Sequence, residues 1–485
     1  MAPSNKMLLS AMDHLIHSSA PNFRPLTCAA SSPPYPTRLA SHPPDLIRWV
    51  RREGGVVHKG LKIADVPSLG LGLVASQEIS KGSELIALPN HLPLSFRDSP
   101  DANGSDGALI EIASCVPEEL WAMRLGLKLL RERATVGSFW WPYIGNLPEA
   151  FSVPIFFSGD EIKNLQYAPL FHQVNKRCRF LLDFEKEVKH VVENLAPDDH
   201  PFRGQDVDAS SLGWAMSAVS SRAFRLHGEI LPDGTRTDVP ALLPLIDMCN
   251  HGFHPNAQIV QEQDTKDPKM SVKVVAETQI ERDTPLTLNY GCLSNDLLLL
   301  DYGFISASNP YDSIELKYDG VLLDAASMAA GVSSPSFSSP AHWQLEILSQ
   351  LNLHGDGALL KVTLGGPELI DGRLLAALRV LLATDVETVQ KHDLSSLKSL
   401  SAQAPLGASN EIVALRTVIA LCVIVLGHFP TKIMEDESLL RQDVSTSMKL
   451  AIQFRIEKKS MIIDVMKDLT CRVNALLKEK AAVHG

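Results

Sequence analysis

The stretch that most constrains this chain is Leu242-Leu-Pro-Leu-Ile-Asp-Met-Cys-Asn-His-Gly-Phe-His-Pro-Asn256, an apolar run that stops abruptly in a cluster of hydrogen-bonding side chains. An uncharged run followed at once by Asp, Asn and His is the pattern of a core element whose end opens onto a polar site, since buried polar groups need partners. About forty residues later comes Pro285-Leu-Thr-Leu-Asn-Tyr-Gly291, whose alternation predicts a strand ending on a tyrosine and a glycine. Asp301-Tyr-Gly-Phe304 follows. Taken alone, Asn250-His251 serves equally well as a helix C-terminal cap, and Tyr290 as a structural tyrosine at a strand end.

The rest of the chain is read around these segments. With 485 residues, two or three domains with substantial cores are expected. A formal charge of −11 argues against a nucleic-acid partner, which needs a basic surface. Seven cysteines, at 28, 115, 178, 249, 292, 422 and 471, form no Cys-x-x-Cys pair and total an odd number, which fits reduced thiols. Cys249, His251 and His254 lie close together, but a zinc site needs further ligands from a second spaced pair, so no metal is expected. The longest uncharged apolar run, Thr417 to Gly427, is about half of the roughly 20 residues that cross a bilayer and predicts a buried helix, so no membrane partner is expected. A phosphate-cradling loop and a nucleophile elbow are missing from the sequence, and so is a long Rossmann fingerprint of strand, glycine-rich turn and helix.

Residues 1–44 hold Lys6, Arg24 and Arg38 against the single acid Asp13 and are rich in Ser and Pro. That composition is shared by organelle transit peptides and by disordered tails. Folded sequence is expected from Asp45, starting with a short helix to Arg52. Leu69 to Ala75 and Glu84 to Pro89 read as two short strands around a glycine-bearing turn, with Gly70 and Gly72 permitting close backbone approach to a ligand. From Pro117 the period becomes helical, through Leu120, Met123, Leu127 and Leu130. The aromatic cluster Phe139-Trp-Trp-Pro-Tyr-Ile144 then reads as core packing. Leu231 to Gly234 is a turn by composition, and a polar connection at 263–269 joins two strands of a hairpin. Ser, Pro and Gly mark 327–340 as a linker, and helical periods run from Ala341 to the end.

Together the motifs resemble the SET domain of protein lysine methyltransferases. Asn250-His251 with Pro255-Asn256 is similar to that family's Asn-His motif, and Asn289-Tyr290-Gly291 to its tyrosine motif. The spellings Asp247-Met-Cys-Asn-His251 and Asp301-Tyr-Gly-Phe304 place the resemblance in the plant Rubisco large-subunit methyltransferase branch, which also includes an actin-histidine methyltransferase.

The resemblance implies an α+β fold: a β-rich SET core of small sheets over 45–310, split by a helical insert at about 95–210, followed by an all-α substrate-binding domain over 341–485. It implies S-adenosylmethionine as cofactor and a protein substrate held by the C-terminal domain. Tyr290 would be the catalytic residue. The cofactor would be met by Leu69, Gly70 and Leu71, by Arg222, and by the wall Asp247, Met248, Cys249, Asn250 and His251. Tyr302 would line the acceptor channel or touch the cofactor. Leu69 departs from the glutamate common in the family, and Arg222 without its context is an ordinary surface arginine. The implied activity is methylation of a lysine on a plastid protein, Rubisco or another abundant stromal enzyme. A histidine acceptor, or an idle SET-fold adaptor, are the alternatives. The chloroplast stroma is the expected compartment, with the cytoplasm second.

Overall fold

The computed structural model describes residues 37–484, apart from Ser68, 97–104, 231–235, 262–269, Ser334 and Ala402. The leader to residue 36, the turn at 231–234 and the connection at 263–269 lie outside the described residues.

Among the described residues, five small sheets make up the β part of the core. The largest has the order β1 (Val56–Val57), β4 (Glu84–Pro89), β10 (Met270–Ala276) and β9 (Ala257–Gln261), all antiparallel. Its inner strand β4 is buried from Leu85 to Leu88, as a strand covered on both faces must be. β10 alternates, with Val272, Val274 and Ala276 buried. β2 (Leu61–Val66) pairs with β3 (Gly70–Ala75), and β5 (Leu94–Ser95), β7 (Arg236–Leu242) and β6 (Ala223–Ile230) make a three-stranded sheet. β3 and β4 therefore exist, but they belong to different sheets: β3 folds back on β2, while β4 pairs with a strand far along the chain. β8 (Asn250–His251) and β11 (Thr287–Leu288) pair in parallel, and β12 (Ser313–Lys317) pairs with β13 (Lys361–Gly365).

Between β5 and β6 the chain is helical, with long helices Ala122–Ala134, Ala168–Glu193 and Ala209–Arg222. A Cβ on Gly126 would sit 3.3 Å from the backbone of Ala215, so the small residue lets Ala122–Ala134 lie close on Ala209–Arg222.

Two boundaries and one element differ from the sequence expectation. Residues 37–44, placed in the leader, run along 145–149: Leu39 N–H donates to the Leu147 carbonyl at 2.8 Å, and Arg38 Nη1 to Asn146 Oδ1 at 2.6 Å. The expected linker at 327–340 opens inside the helix Gly320–Ala329, where Ser327 is buried. Its far end is pinned because the Asp324 carboxylate accepts the Phe337 amide at 2.6 Å and the Ser338 amide at 3.1 Å. The C-terminal region is not wholly helical, since β13 crosses back to β12.

The remaining C-terminal elements include Gly372–Leu381, Ala408–Gly427, Ile433–Leu440 and the long Thr446–His484. Ala408–Gly427 is long and apolar enough to cross a bilayer by length and composition. Its buried side chains run from Glu411 to Cys422, and Glu411, on its first turn, receives Arg379 Nε and Nη2, both at 2.7 Å, in a two-pronged pair. Thr446–His484 closes onto the SET core through buried Lys458, whose ammonium donates to Asp312 Oδ1 at 2.7 Å and also meets Asp296.

Candidate active site

The two opening motifs meet. β8 carries Asn250 and His251, and β11 lies beside it in parallel: the Asn250 amide donates to the Leu286 carbonyl at 3.1 Å and the Gly252 amide to the Leu288 carbonyl at 3.0 Å. Asn256 clamps the pair. Its Nδ2 donates to the Pro285 carbonyl and its Oδ1 accepts the Thr287 amide, both at 2.9 Å. The chain enters through Leu245, a buried non-glycine residue with φ of 72°, and makes a 3-10 turn over Ile246–Met248. A leucine in the left-handed region is strained, and such strain gathers at sites the surroundings over-determine. It delivers Asp247 into the interior, almost wholly buried.

Tyr290 emerges just past β11. Its hydroxyl donates to the Cys249 carbonyl at 2.6 Å, and its amide lies 3.3 Å from His251 Nδ1. Its ring stacks on Tyr302 with centroids 5.1 Å apart and planes 24° from parallel. His251 lies 5.1 Å from the Tyr290 ring, 4.7 Å from Phe253 and 6.2 Å from Phe304, so five rings form one aromatic wall. Tyr302 ends a π turn over Leu298–Tyr302, and the helical insert steadies it: Arg177 Nη1 reaches Asp301 Oδ1 at 2.7 Å. Gly303 follows with φ of 76°, and a Cβ there would lie 2.8 Å from the Ser152 carbonyl, so only glycine fits.

Arg222 is the last residue of Ala209–Arg222. Its Nη1 donates to the Asp247 carbonyl at 3.2 Å and approaches Asp247 Oδ2 at 3.4 Å. The same Oδ2 accepts the Tyr143 hydroxyl at 2.8 Å. Burial pushes the Asp247 carboxyl up, opposed by Arg222 and Tyr143. Burial would lower the Arg222 guanidinium, but the Asp247 carboxylate, with Tyr143 and Tyr290, holds it above its ordinary value. Burial raises the Tyr290 phenol, helped by Cys249, and pushes Tyr302 up to about 12, so both hydroxyls keep their protons near neutrality. Burial also lowers the His251 imidazole, which favours its neutral form.

Four polar atoms here are buried without a hydrogen-bond partner: Arg222 Nε, Asp247 Oδ1, Asn250 Nδ2 and His251 Nε2. A buried polar atom left unpaired costs about 1–3 kcal/mol. Four such atoms on Arg222 and the stretch Asp247–His251 describe a site built for a polar ligand. They offer N–H donors from Arg222 and Asn250 beside a carboxylate acceptor, the complement of a zwitterionic amino-acid end such as that of S-adenosylmethionine, and the residues present fit that group. Among the described residues no group of three or more His, Cys, Asp or Glu side chains is placed to hold a metal.

Arg222, Asp247, Met248, Cys249, Asn250, His251, Tyr290 and Tyr302 thus gather at one place. Leu69, Gly70 and Leu71 lie at its edge, at the start of β3, and Leu69 is 48% exposed. That strand meets the site at Gly72, where a Cβ would collide with Asn250 Nδ2, and at Leu73, whose carbonyl accepts the Leu286 amide at 2.8 Å. Sequence reasoning missed Tyr143, folded into an aromatic cluster read as packing. The available signal was its hydroxyl, because a tyrosine buried to 1% exposure needs a partner.

Comparison with known proteins agrees with this geometry. The SET domain profile matches residues 70–291, and the Rubisco LSMT substrate-binding profile matches 335–462. The actin-histidine N-methyltransferase of Homo sapiens is 26% identical over 436 residues, covering 87% of this chain and 68% of that protein. The Gallus gallus enzyme is 25% identical over 449 residues, 90% of this chain and 70% of that one. Among solved structures, Rubisco LSMT bound to AdoMet superposes with a TM-score of 0.56 at 19% identity, covering 89% of this chain and 92% of that one. The SET domain of LSMT bound to MeLysine and AdoHcy gives 0.57 at 19% identity over the same shares. These likenesses carry the fold. By its two domain matches, this chain is a SET-domain protein with a Rubisco LSMT substrate-binding domain on its C-terminal side.

Proposed function

We propose that the chain is an S-adenosylmethionine-dependent protein methyltransferase that methylates a lysine side chain. The observation that carries this reading is the cluster of four unpartnered buried polar atoms set against the stacked pair Tyr290 and Tyr302. S-adenosylmethionine supplies an electrophilic methyl group. Arg222, Asp247, Asn250 and His251 would hold its amino-acid and adenosyl ends. The aromatic wall excludes water, and a lysine amine of ordinary pKa about 10.4 is thereby favoured as the neutral nucleophile. Tyr290, its proton directed to the Cys249 carbonyl, keeps its oxygen in a defined position to orient the incoming amine. The Rubisco LSMT substrate-binding domain supports a protein as acceptor.

Histidine is the second reading, supported by relatives at 25–26% identity along most of the chain whose acceptor is an actin histidine. An imidazole is already neutral near pH 7 and needs a broader slot than an extended amine. The acid-poor leader supports a plastid address and a stromal substrate, Rubisco among them, which a fluorescent fusion of residues 1–60 tests: fluorescence confined to the cytosol refutes it.

The deciding experiment incubates the chain from residue 37 with methyl-labelled S-adenosylmethionine and a soluble plastid or cell extract, then maps the label by mass spectrometry. Label on lysine is expected, and label on histidine replaces the acceptor. Tyr290→Phe should lower the rate about 100-fold through lost orientation, with cofactor affinity unchanged. Unchanged turnover removes Tyr290 from the mechanism.

A further inference from the structure

Tyr143 brings the insert that interrupts the SET core into contact with Asp247. It lies in the short helical turn Trp141–Ile144, buried to 1% exposure, and its phenol donates to Asp247 Oδ2 across 104 residues of sequence. The turn is firmly held. Trp140 Nε1 donates to the Leu92 carbonyl at 3.1 Å, and Asn146 Nδ2 donates to the Pro44 carbonyl at 2.9 Å and the Pro142 carbonyl at 2.8 Å. A phenol on so fixed a support sets the orientation of whatever it bonds.

What it bonds is the hinge of the polar pocket. Asp247 Oδ2 is shared between Tyr143 at 2.8 Å and Arg222 Nη1 at 3.4 Å, which leaves Oδ1 without a partner. Arg222 is held by Nη1 alone, on the Asp247 carbonyl and carboxylate, which leaves Nε without one. The shorter contact is the one to Tyr143. Without it the carboxylate has no reason to stay at arm's length from the guanidinium, and a two-pronged Arg–Asp pair is the preferred geometry for these groups. Such a pair takes Oδ1 and a second guanidinium N–H.

We propose that Tyr143 is a positioning residue for the ligand's amino-acid end: by holding Asp247 Oδ2 it stops Asp247 from closing on Arg222 and keeps one donor and one acceptor available. This rests on the reading of the site as an S-adenosylmethionine pocket. The insert is then part of the binding site as well as a support for it.

The test is calorimetric binding to the whole chain of two probes, S-adenosylhomocysteine and 5′-methylthioadenosine, which shares the nucleoside but lacks the amino-acid end. Tyr143→Phe should raise the Kd for S-adenosylhomocysteine about tenfold, equivalent to about 1.4 kcal/mol, and leave 5′-methylthioadenosine unchanged. Asp247→Asn removes the charge that would close on Arg222, so in that background Tyr143→Phe should add nothing, a coupling read by the double-mutant cycle. Equal loss for both probes would make Tyr143 a packing residue and overturn the proposal. So would an unchanged Kd for S-adenosylhomocysteine, or additive losses in the cycle. A wild-type chain that binds neither probe refutes the cofactor reading itself, and this one with it.

Discussion

Lys458 ties the C-terminal domain to the SET core, beside Arg455, whose Nη1 donates to the Asn164 carbonyl at 2.7 Å and to Asn164 Oδ1 at 2.8 Å. It lies on Thr446–His484, is fully buried, and donates to Asp312 Oδ1 and the Ser313 carbonyl, both at 2.7 Å, while also pairing with Asp296. Lys458→Met keeps an unbranched side chain of similar reach and removes the cation. Asp312, only 2% exposed, then carries a charge with no buried counter-ion. Removing one partner of a buried pair costs about 3–5 kcal/mol. The Asn295 amide at 2.9 Å, the Ser313 amide at 3.1 Å and Asn295 Nδ2 at 3.1 Å still donate to Asp312, which places the expected loss near the lower bound, about 3 kcal/mol. With a urea m-value of roughly 3 kcal/mol per molar, the unfolding midpoint should fall by roughly 1 M, read by tryptophan fluorescence. Adding Asp312→Asn removes the stranded charge and should recover part of the loss. A single-variant loss below about 1 kcal/mol, the worth of an exposed pair, would refute the claim that this latch is dry and charge-paired.

Two further outcomes follow from the geometry. Gly303→Ala puts a Cβ 2.8 Å from the Ser152 carbonyl at φ of 76°; at about 2 kcal/mol of strain the melting temperature should drop by roughly 4 °C, and a wild-type melt would show that the backbone yields there. Asp436 is buried, which alone would raise its carboxyl, but hydrogen bonds from Arg455 at 2.9 Å and from Lys459 hold it below the usual range. Its folded state therefore binds a proton less tightly than the unfolded chain, so its contribution is full above about pH 4 and is lost as pH falls further. Asp436→Asn should flatten that part of the acid-unfolding curve, and an unchanged slope in stability against pH would show that Asp436 does not set it.

Much of the site was legible because its parts are local. The apolar run into Asp247–His251 and the alternation into Tyr290 are patterns of neighbours, and β8 and β11 form where those patterns end. The hairpin of β9 and β10 was legible for the same reason. The partner of β3 was not, because Leu61–Val66 carries Lys62 and Asp65 and shows little of the hydrophobic alternation that marks a strand. Composition misplaced the expected linker: Ser and Gly look loose in sequence, but the Asp324 carboxylate binds two backbone amides at its far end. Residues 37–44 read as leader because backbone pairing with 145–149 leaves no mark on either segment alone.

The sequence by itself determined the motif residues, their order, and the helical character of the insert and C-terminal region. These depend on periodicity, turn chemistry and composition, all carried by residues near one another. Only the tertiary structure decided that Tyr143 bonds Asp247, that Gly72 abuts Asn250, that Lys458 latches two domains, and that four polar atoms stand together without partners. The three contacts join residues separated by long stretches of chain, and such pairings are selected by collective packing and by the cost of leaving a buried group unpaired, neither of which a local pattern encodes.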